Sequence, residues 1–250
     1  MDALYDSIGQ GYTRTRAPDP RIERALWEAL GPGPCLNVGA GAGSYEPSST
    51  LLAVERSSIM ASQRRPGAAA VVIASAEALP CPDDAFETAL AVLTIHHWPG
   101  RARSGLRELR RVARGRIVIL TWDPESPAYW LTRDYFSEIV EMDLPIFPTI
   151  EELGADLGGP LTSEPLLIPY DCADGFLGAF WRRPAAYLDP EVRAAISAFC
   201  KLGESTLARG LARLRADLES GAWQQRNAEL LELESLDLGY RLVTATLEDA

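Results

Sequence analysis

Lysine is almost absent from this sequence: among 24 Lys and Arg residues, Lys201 is the only lysine. We read that bias as genomic base composition rather than mechanism. Positive charge as a whole is scarce, with 35 acidic residues, a formal net charge of −11 and an isoelectric point near 4.8. Such a surface repels a phosphate backbone, so nucleic acid is not the expected partner. The four cysteines, Cys35, Cys81, Cys172 and Cys200, include no Cys-x-x-Cys pair and have no histidine near them in sequence. Zinc spacing is therefore missing, no metal is expected, and free thiols in a reducing cytoplasm are the simplest reading. No run approaches the ~20 apolar residues of a membrane span, and the N-terminus lacks a basic segment followed by an apolar core. No membrane partner and a cytoplasmic location follow as expectations. What remains is an ordinary globular composition, 47% hydrophobic and 24% charged over 250 residues. That is one domain, or one domain carrying a large insertion.

The most informative segment is Leu36-Asn37-Val38-Gly39-Ala40-Gly41-Ala42-Gly43, answered by Glu55 at the end of the next apolar run. A buried strand followed by glycines at alternate positions lets the backbone turn sharply and lie against a ligand. A carboxylate at the next strand end can accept hydrogen bonds from both ribose hydroxyls. A dinucleotide site would want Gly-x-Gly-x-x-Gly opening a long helix, but Ser44 stands at the third glycine and Pro47 follows at once. That disfavours a nicotinamide oxidoreductase and suits a nucleoside cofactor without phosphate.

Asn37 to Gly43 resembles the glycine-rich first motif of class I S-adenosylmethionine (SAM)-dependent methyltransferases. Ala74-Ser-Ala-Glu-Ala-Leu-Pro80 with Asp83 to Phe86, Leu93-Thr-Ile-His-His-Trp98, and Glu108 to Val112 leading into Ile117 to Leu120 resemble its later motifs in order. The resemblance covers roughly residues 1 to 125 and is nearest to small-molecule enzymes of the ubiquinone, menaquinone and natural-product type. It implies SAM as cofactor, S-adenosylhomocysteine (SAH) as product and a small-molecule methyl acceptor. It also implies that Gly39, Ala40, Gly41 and Gly43 approach the cofactor, with Glu55 on the ribose, and Arg56, Met60, Leu93 and Thr94 around it. Ala76 would offer its backbone N–H to the adenine. The family's acid just before that alanine is here Ser75, and Glu77 is either a cofactor contact or a solvated charge. The segment Tyr5 to Arg16 resembles a flap that closes over SAM, with Tyr12 facing it and Arg16 on the methionine carboxylate.

The expected fold class is α/β, a Rossmann-like, seven-stranded, doubly wound sheet with a helical cap inserted between the last two strands. Strands are predicted at about Cys35–Gly39, Leu51–Glu55, Ala70–Ala74, Thr88–Ile95 and Arg116–Trp122, unalternating and so buried on both faces. The resemblance adds two, at about Leu161–Ile168 and Tyr240–Thr246. Organisation is expected as a SAM-binding core over 1–126, a lid over 127–160, a core strand over 161–169, the cap over 170–238 and the last strand over 239–250. Asp19-Pro20 and Asp189-Pro190 read as helix starts, the second carrying Val192, Ile196 and Phe199 inward. Leu207, Leu211, Leu214 and Leu218 form a stripe, either core packing or the face of a homodimer, and a further helix is predicted from about Trp223 to Leu233.

His96 and His97 fall at the C-terminal end of the fourth strand, where open α/β sheets place ligands. As imidazoles they can act as general base to a hydroxyl acceptor, or they can simply pack. Asp123, at the end of the fifth strand, is the expected third member on resemblance to O-methyltransferases that place an aspartate there; as a residue before Pro124 it also fits a turn. Aromatics in Pro127–Trp130, Tyr135–Phe136 and Phe176–Trp181 could stack on an acceptor or form core. Arg182 and Arg183 could meet an acidic group or face solvent. Methyl transfer to oxygen is favoured; a SAM-binding protein that does not methylate, cyclase-like or regulatory, stays open because of Ser75 and the large cap.

Overall fold

The structure, a computed structural model, describes residues 16–100 and 102–247. Tyr12 and the rest of the flap before Arg16 lie outside them. Asp19 caps the first helix of the described residues, α1 (Pro20–Leu30), by accepting from the Arg21 N–H at 2.9 Å, and Ile22, Leu26 and Leu30 fall on one buried stripe. The strands are β1 (Cys35–Val38), β2 (Thr50–Glu55), β3 (Ala70–Ile73), β4 (Phe86–Val92), β5 (Ala113–Trp122), β6 (Leu161–Pro165), β7 (Ile168–Pro169), β8 (Ser235–Leu236) and β9 (Tyr240–Thr246). Seven of them form one sheet in the order β3-β2-β1-β4-β5-β9-β6. The first five are parallel, while β9 runs antiparallel to both β5 and β6. Strand order reverses between β1 and β4, which opens a crevice at their C-terminal ends.

Alternate residues of β5 serve opposite faces of the sheet. Ile117 and Ile119 join the cluster under α3 (Arg103–Val112), whereas Val118 and Leu120 join the cluster under α1, and the short α2 (Ser58–Ser62) belongs to neither. Burial on both faces thus explains the unbroken apolar runs of β1, β4 and β5. It does not describe β3, where Ile73 is 54% exposed. The five-residue α2 is too short to cover that edge.

The segment 127–160 divides. Helices α4 (Trp130–Asp134) and α5 (Ser137–Asp143) pack into the cap, whereas α6 (Ile150–Leu157), closed by a Thr149–Glu152 capping box, packs Leu153 and Leu157 against the sheet. Between β6 and β9 the chain leaves the sheet, and the two-residue strands β7 and β8 pair antiparallel so that the inserted stretch begins and ends side by side. The helix expected after Asp189 breaks at extended Ile196 into α7 (Pro190–Ala194) and α8 (Ser197–Lys201). The leucine stripe lies on α9 (Glu204–Glu219), and the last predicted helix is a short α10 (Ala222–Arg226) followed by a 3-10 turn.

The cap has its own core. Trp130 stands edge-on to Tyr135, Tyr187 and Trp223, and its indole N–H donates to the Trp181 carbonyl at 2.8 Å. Leu214 is fully buried in this cluster, with Leu207, Leu211 and Leu218 half-buried around it, so the stripe packs inward. No helix among the described residues is long and apolar enough to cross a membrane. Leu214→Ala is expected to lower unfolding stability by about 2–5 kcal/mol, and Leu207→Ala by distinctly less, because only the first leaves a closed cavity. Urea titration of the two variants checks the difference.

Candidate functional site

The crevice between β1 and β4 is a cavity of about 510 Å³, within the ~300–1,000 Å³ of small-molecule sites. Its floor is the turn after β1. Gly39 has φ +69°, and a Cβ there would lie 2.1 Å from Thr94 Oγ1, so the ends of β1 and β4 approach only around a glycine. Gly39 and Ala40 both donate to the Val54 carbonyl, at 2.8 and 3.1 Å, which pins the turn to β2.

Glu55 closes β2 and is buried. One carboxylate oxygen accepts the Gly41 N–H and the other the Ser57 N–H, each at 2.7 Å. The same side chain thus holds the glycine turn and the start of α2, where Ser57 Oγ accepts from Met60 N–H. Each oxygen keeps a lone pair for a ligand hydroxyl. Arg56, buried Met60, Ala76, Leu93 and Thr94 line the same cavity.

Ser75 and Glu77 also line it, and the Ser75 hydroxyl donates to Glu77 Oε2 at 2.6 Å. An acid is therefore present beside Ala76 although the expected position holds serine. Gly43 does not line the cavity. Its φ is +89° and its open side faces Arg64, whose buried pair with Glu46 at 2.6 Å supports the turn from behind.

A second cavity, about 100 Å³, lies beyond the first and shares Arg16 and Leu93 with it. Leu93 leaves β4 with φ +48°, a left-handed conformation uncommon for leucine. That turn separates the histidines: His97 lines the larger cavity and His96 the smaller. The rings are 3.9 Å apart, and His96 stacks on Phe147 at 4.3 Å and 13°. Burial, with His97 and Lys201 adding to it, drives the His96 pKa well below the usual imidazole value. Burial, then Lys201, lowers that of His97 to about 3. Both are neutral at physiological pH, and His96 Nδ1 is a buried nitrogen with no hydrogen-bond partner among the described residues.

Asp123 does not join them. Its Oδ1 accepts from the Glu125 N–H at 3.1 Å and its Oδ2 faces Arg241 Nε at 3.6 Å, outside both cavities; the preceding residue, Trp122, lines the smaller one. The turn reading of Asp123 is the one the structure places. Of the predicted aromatics, Tyr129 and Phe176 line the small cavity, whereas Trp130, Phe136 and Trp181 are buried core. Arg182 and Arg183 lie over Tyr170 and Phe180, away from both cavities.

Sequence reasoning missed Asp174. It holds Arg16 Nε at 2.6 Å and Nη2 at 3.3 Å, accepts the Tyr45 hydroxyl at 2.9 Å, and so fixes Arg16 where the cavities meet. It missed Asp143 too, which lines the small cavity. Neither sits in a motif, and only the fold brings them near the strand ends.

A methyltransferase domain family matches residues 30–119. The chain is 34% identical to a protein from Anabaena variabilis designated a methyltransferase of an antibiotic biosynthesis pathway, covering 93% of this chain and 99% of that one with a TM-score of 0.85. A SAM-dependent methyltransferase from Thermotoga maritima, 17% identical over 98% of both chains (TM-score 0.59), shares the fold. So does the [4+2]-cyclase SpnF, 14% identical over 99% of this chain and 95% of that one (TM-score 0.56). Comparison with curated proteins yields no match. The chain belongs to the class I SAM-dependent methyltransferases.

Proposed function

We propose that this methyltransferase acts on a small molecule and delivers the methyl group to an oxygen atom. The observation that carries the reading is the pair of adjoining cavities, one sized for a nucleoside cofactor and a smaller one lined mostly by apolar and aromatic side chains. When bound, SAM supplies an electrophilic methyl on sulfonium sulfur. The protein's part is to hold that methyl in line with the acceptor and to exclude water.

In this reading the Gly39–Gly41 turn gives the cofactor close backbone approach, and Glu55 takes the ribose hydroxyls. Glu77, held by Ser75, takes the role of the family's displaced acid at the adenine amino group. Met60 offers its polarizable thioether to the ring face, and Arg16, fixed by Asp174, supplies positive charge toward the amino-acid end. His97 faces the cofactor and His96 the acceptor. As neutral imidazoles they can orient a hydroxyl by accepting from it, without placing a second positive charge beside a sulfonium. The cap and helices α4 and α5 act as the lid over the acceptor.

Calorimetric titration with SAM and SAH tests the cofactor half. Glu55→Gln keeps the shape but turns an amide NH₂ toward a backbone N–H and loses the charge, so SAH affinity should fall by about 1.5–3 kcal/mol, roughly 10- to 150-fold. Unchanged affinity removes Glu55 from the site. Product formation that persists when SAH replaces SAM would instead favour non-methylating use of the cofactor.

The depressed imidazole pKa values give a second expectation. Neither His96 nor His97 should titrate between pH 5.5 and 8; because they are the only histidines, their two sets of ring signals in NMR report this directly. The sign for stability follows. Folded-state values below the unfolded ~6.5 mean that the native state gains no proton there, so stability declines as pH falls below ~6.5.

A further inference from the structure

Among the described residues, Asp143 is the one carboxylate that lines the small cavity. It is the last residue of α5, where helix carbonyls point and no basic residue balances it. Its backbone carbonyl accepts from Ile146 and Phe147 N–H, both at 3.0 Å, and that turn sets Phe147 against His96. Among the described residues its carboxylate makes no hydrogen bond or ion pair. Of the other polar groups of the cavity, the Tyr129 hydroxyl donates to the Leu177 carbonyl at 3.0 Å, Thr132 donates to the Tyr129 carbonyl and the Tyr240 hydroxyl accepts from Gly178 N–H, whereas His96 Nδ1, a neutral acceptor or donor, has no partner among the described residues.

The walls around Asp143 are rings. Phe147 lies flat on His96 and edge-on to Trp122 at 5.3 Å, and across the cavity Phe176 meets Tyr240 at 4.9 Å. The space between, about 100 Å³, is on the order of the ~150 Å³ apolar cavity that takes up one benzene molecule. A flat ring fills such a slot with ring-to-ring contact, and a half-buried carboxylate with no hydrogen-bond partner among the described residues can accept from a donor on that ring.

We infer that the acceptor is a hydroxylated aromatic ring and that Asp143 takes its phenolic proton. This rests on the O-methylation reading above and extends it to a substrate class and a catalytic base. The O–H bond breaks toward an Asp143 oxygen, the freed pair on the phenolic oxygen forms the bond to the methyl carbon, and the carbon–sulfur pair leaves with sulfur. The products are a methyl ether, SAH and a protonated Asp143 that returns its proton to solvent. Burial raises the Asp143 pKa to about 6, nearer to neutral pH than an exposed carboxylate and better matched to proton transfer. Lys201 on α8 lowers it somewhat, and Tyr129 before α4, Tyr240 on β9, His96 after β4 and Arg16 are the other titratable or charged groups lining the cavity among the described residues.

The test uses catechol as probe on the full chain saturated with SAH, by calorimetry between pH 5 and 7.5. If only ionised Asp143 accepts the hydroxyl, affinity rises about tenfold across that range in the wild type and stays flat in Asp143→Asn. Lys201→Met should move the midpoint of the rise upward. With SAM in place of SAH, the methyl ether of catechol should form, and Asp143→Asn should slow it about 10²- to 10⁴-fold. A wild-type affinity independent of pH, or the same rise in Asp143→Asn, overturns the base. Absence of catechol binding overturns the acceptor class. Binding of SAH to the wild type, measured in the same series, reports separately on the cofactor site.

Discussion

The ends of β1 and β4 can come together only where residue 39 has no side chain. A Cβ on Gly39 would fall inside the Thr94 side chain, and the left-handed backbone there favours glycine. Everything around the crevice follows from that approach. It lets the Gly39 and Ala40 amides reach the Val54 carbonyl, which in turn sets Gly41 over the Glu55 carboxylate. It also leaves β4 to end against the turn, so that the chain must swing away at Leu93. A left-handed leucine costs on the order of 1–3 kcal/mol and persists only where its surroundings over-determine it. Here the swing assigns one histidine to each cavity.

The two cavities differ in what holds them. The larger is built from backbone: strand ends, a glycine turn, and one carboxylate that bridges two amides. Its shape is set by the sheet and changes only if the sheet does. The smaller is built from side chains of α5, the Phe147 turn and the cap, meeting over Leu93 and Arg16. Asp174 is the tie between them, since it belongs to the inserted stretch yet clamps Arg16 with two hydrogen bonds and receives the hydroxyl of Tyr45. Nearly full burial of that carboxylate makes the tie strict, because removing either partner leaves a charge or a polar group without water.

The sheet was legible because its central strands are buried on both faces and therefore show unbroken apolar runs; the exposed β3 carried the same residues, and only the shortness of its covering helix, which no local pattern marks, distinguishes it. The glycine turn, Glu55 and the neighbourhood of Ser75 were legible because each lies at or just past the end of a strand. Asp123 was misplaced by one position: successive strand residues point to opposite faces, and Trp122 rather than Asp123 turns toward the cavity. Asp143 and Asp174 carried no local signal, since a carboxylate's surroundings are decided by elements remote in sequence. The break of the predicted helix at Ile196 escaped for a related reason, as that residue is extended to reach the cap core.

The small ribbon of β7 and β8 has a consequence for how such an enzyme changes over generations. Ile168 pairs with Leu236 and Pro169 with Ser235, and the Tyr170 N–H adds a bond to the Glu234 carbonyl at 2.9 Å. The inserted stretch is thus an appendage that leaves and returns through one short stem, with Phe176, Ala179 and Trp181 packed against α1 and β5. Doubling the length of a loop that returns to its origin adds only about 0.6 kcal/mol of closure entropy. Insertions, deletions and recombined segments within the appendage leave the register of β6 on β9 untouched. What a replacement must keep is the Asp174 carboxylate and the buried side chains, Phe176 and Trp181 among them, that pack with α1 and β5. The cap side of the small cavity can therefore change by exchange of one module, while α5, the Phe147 turn and the strand ends beneath it stay in place.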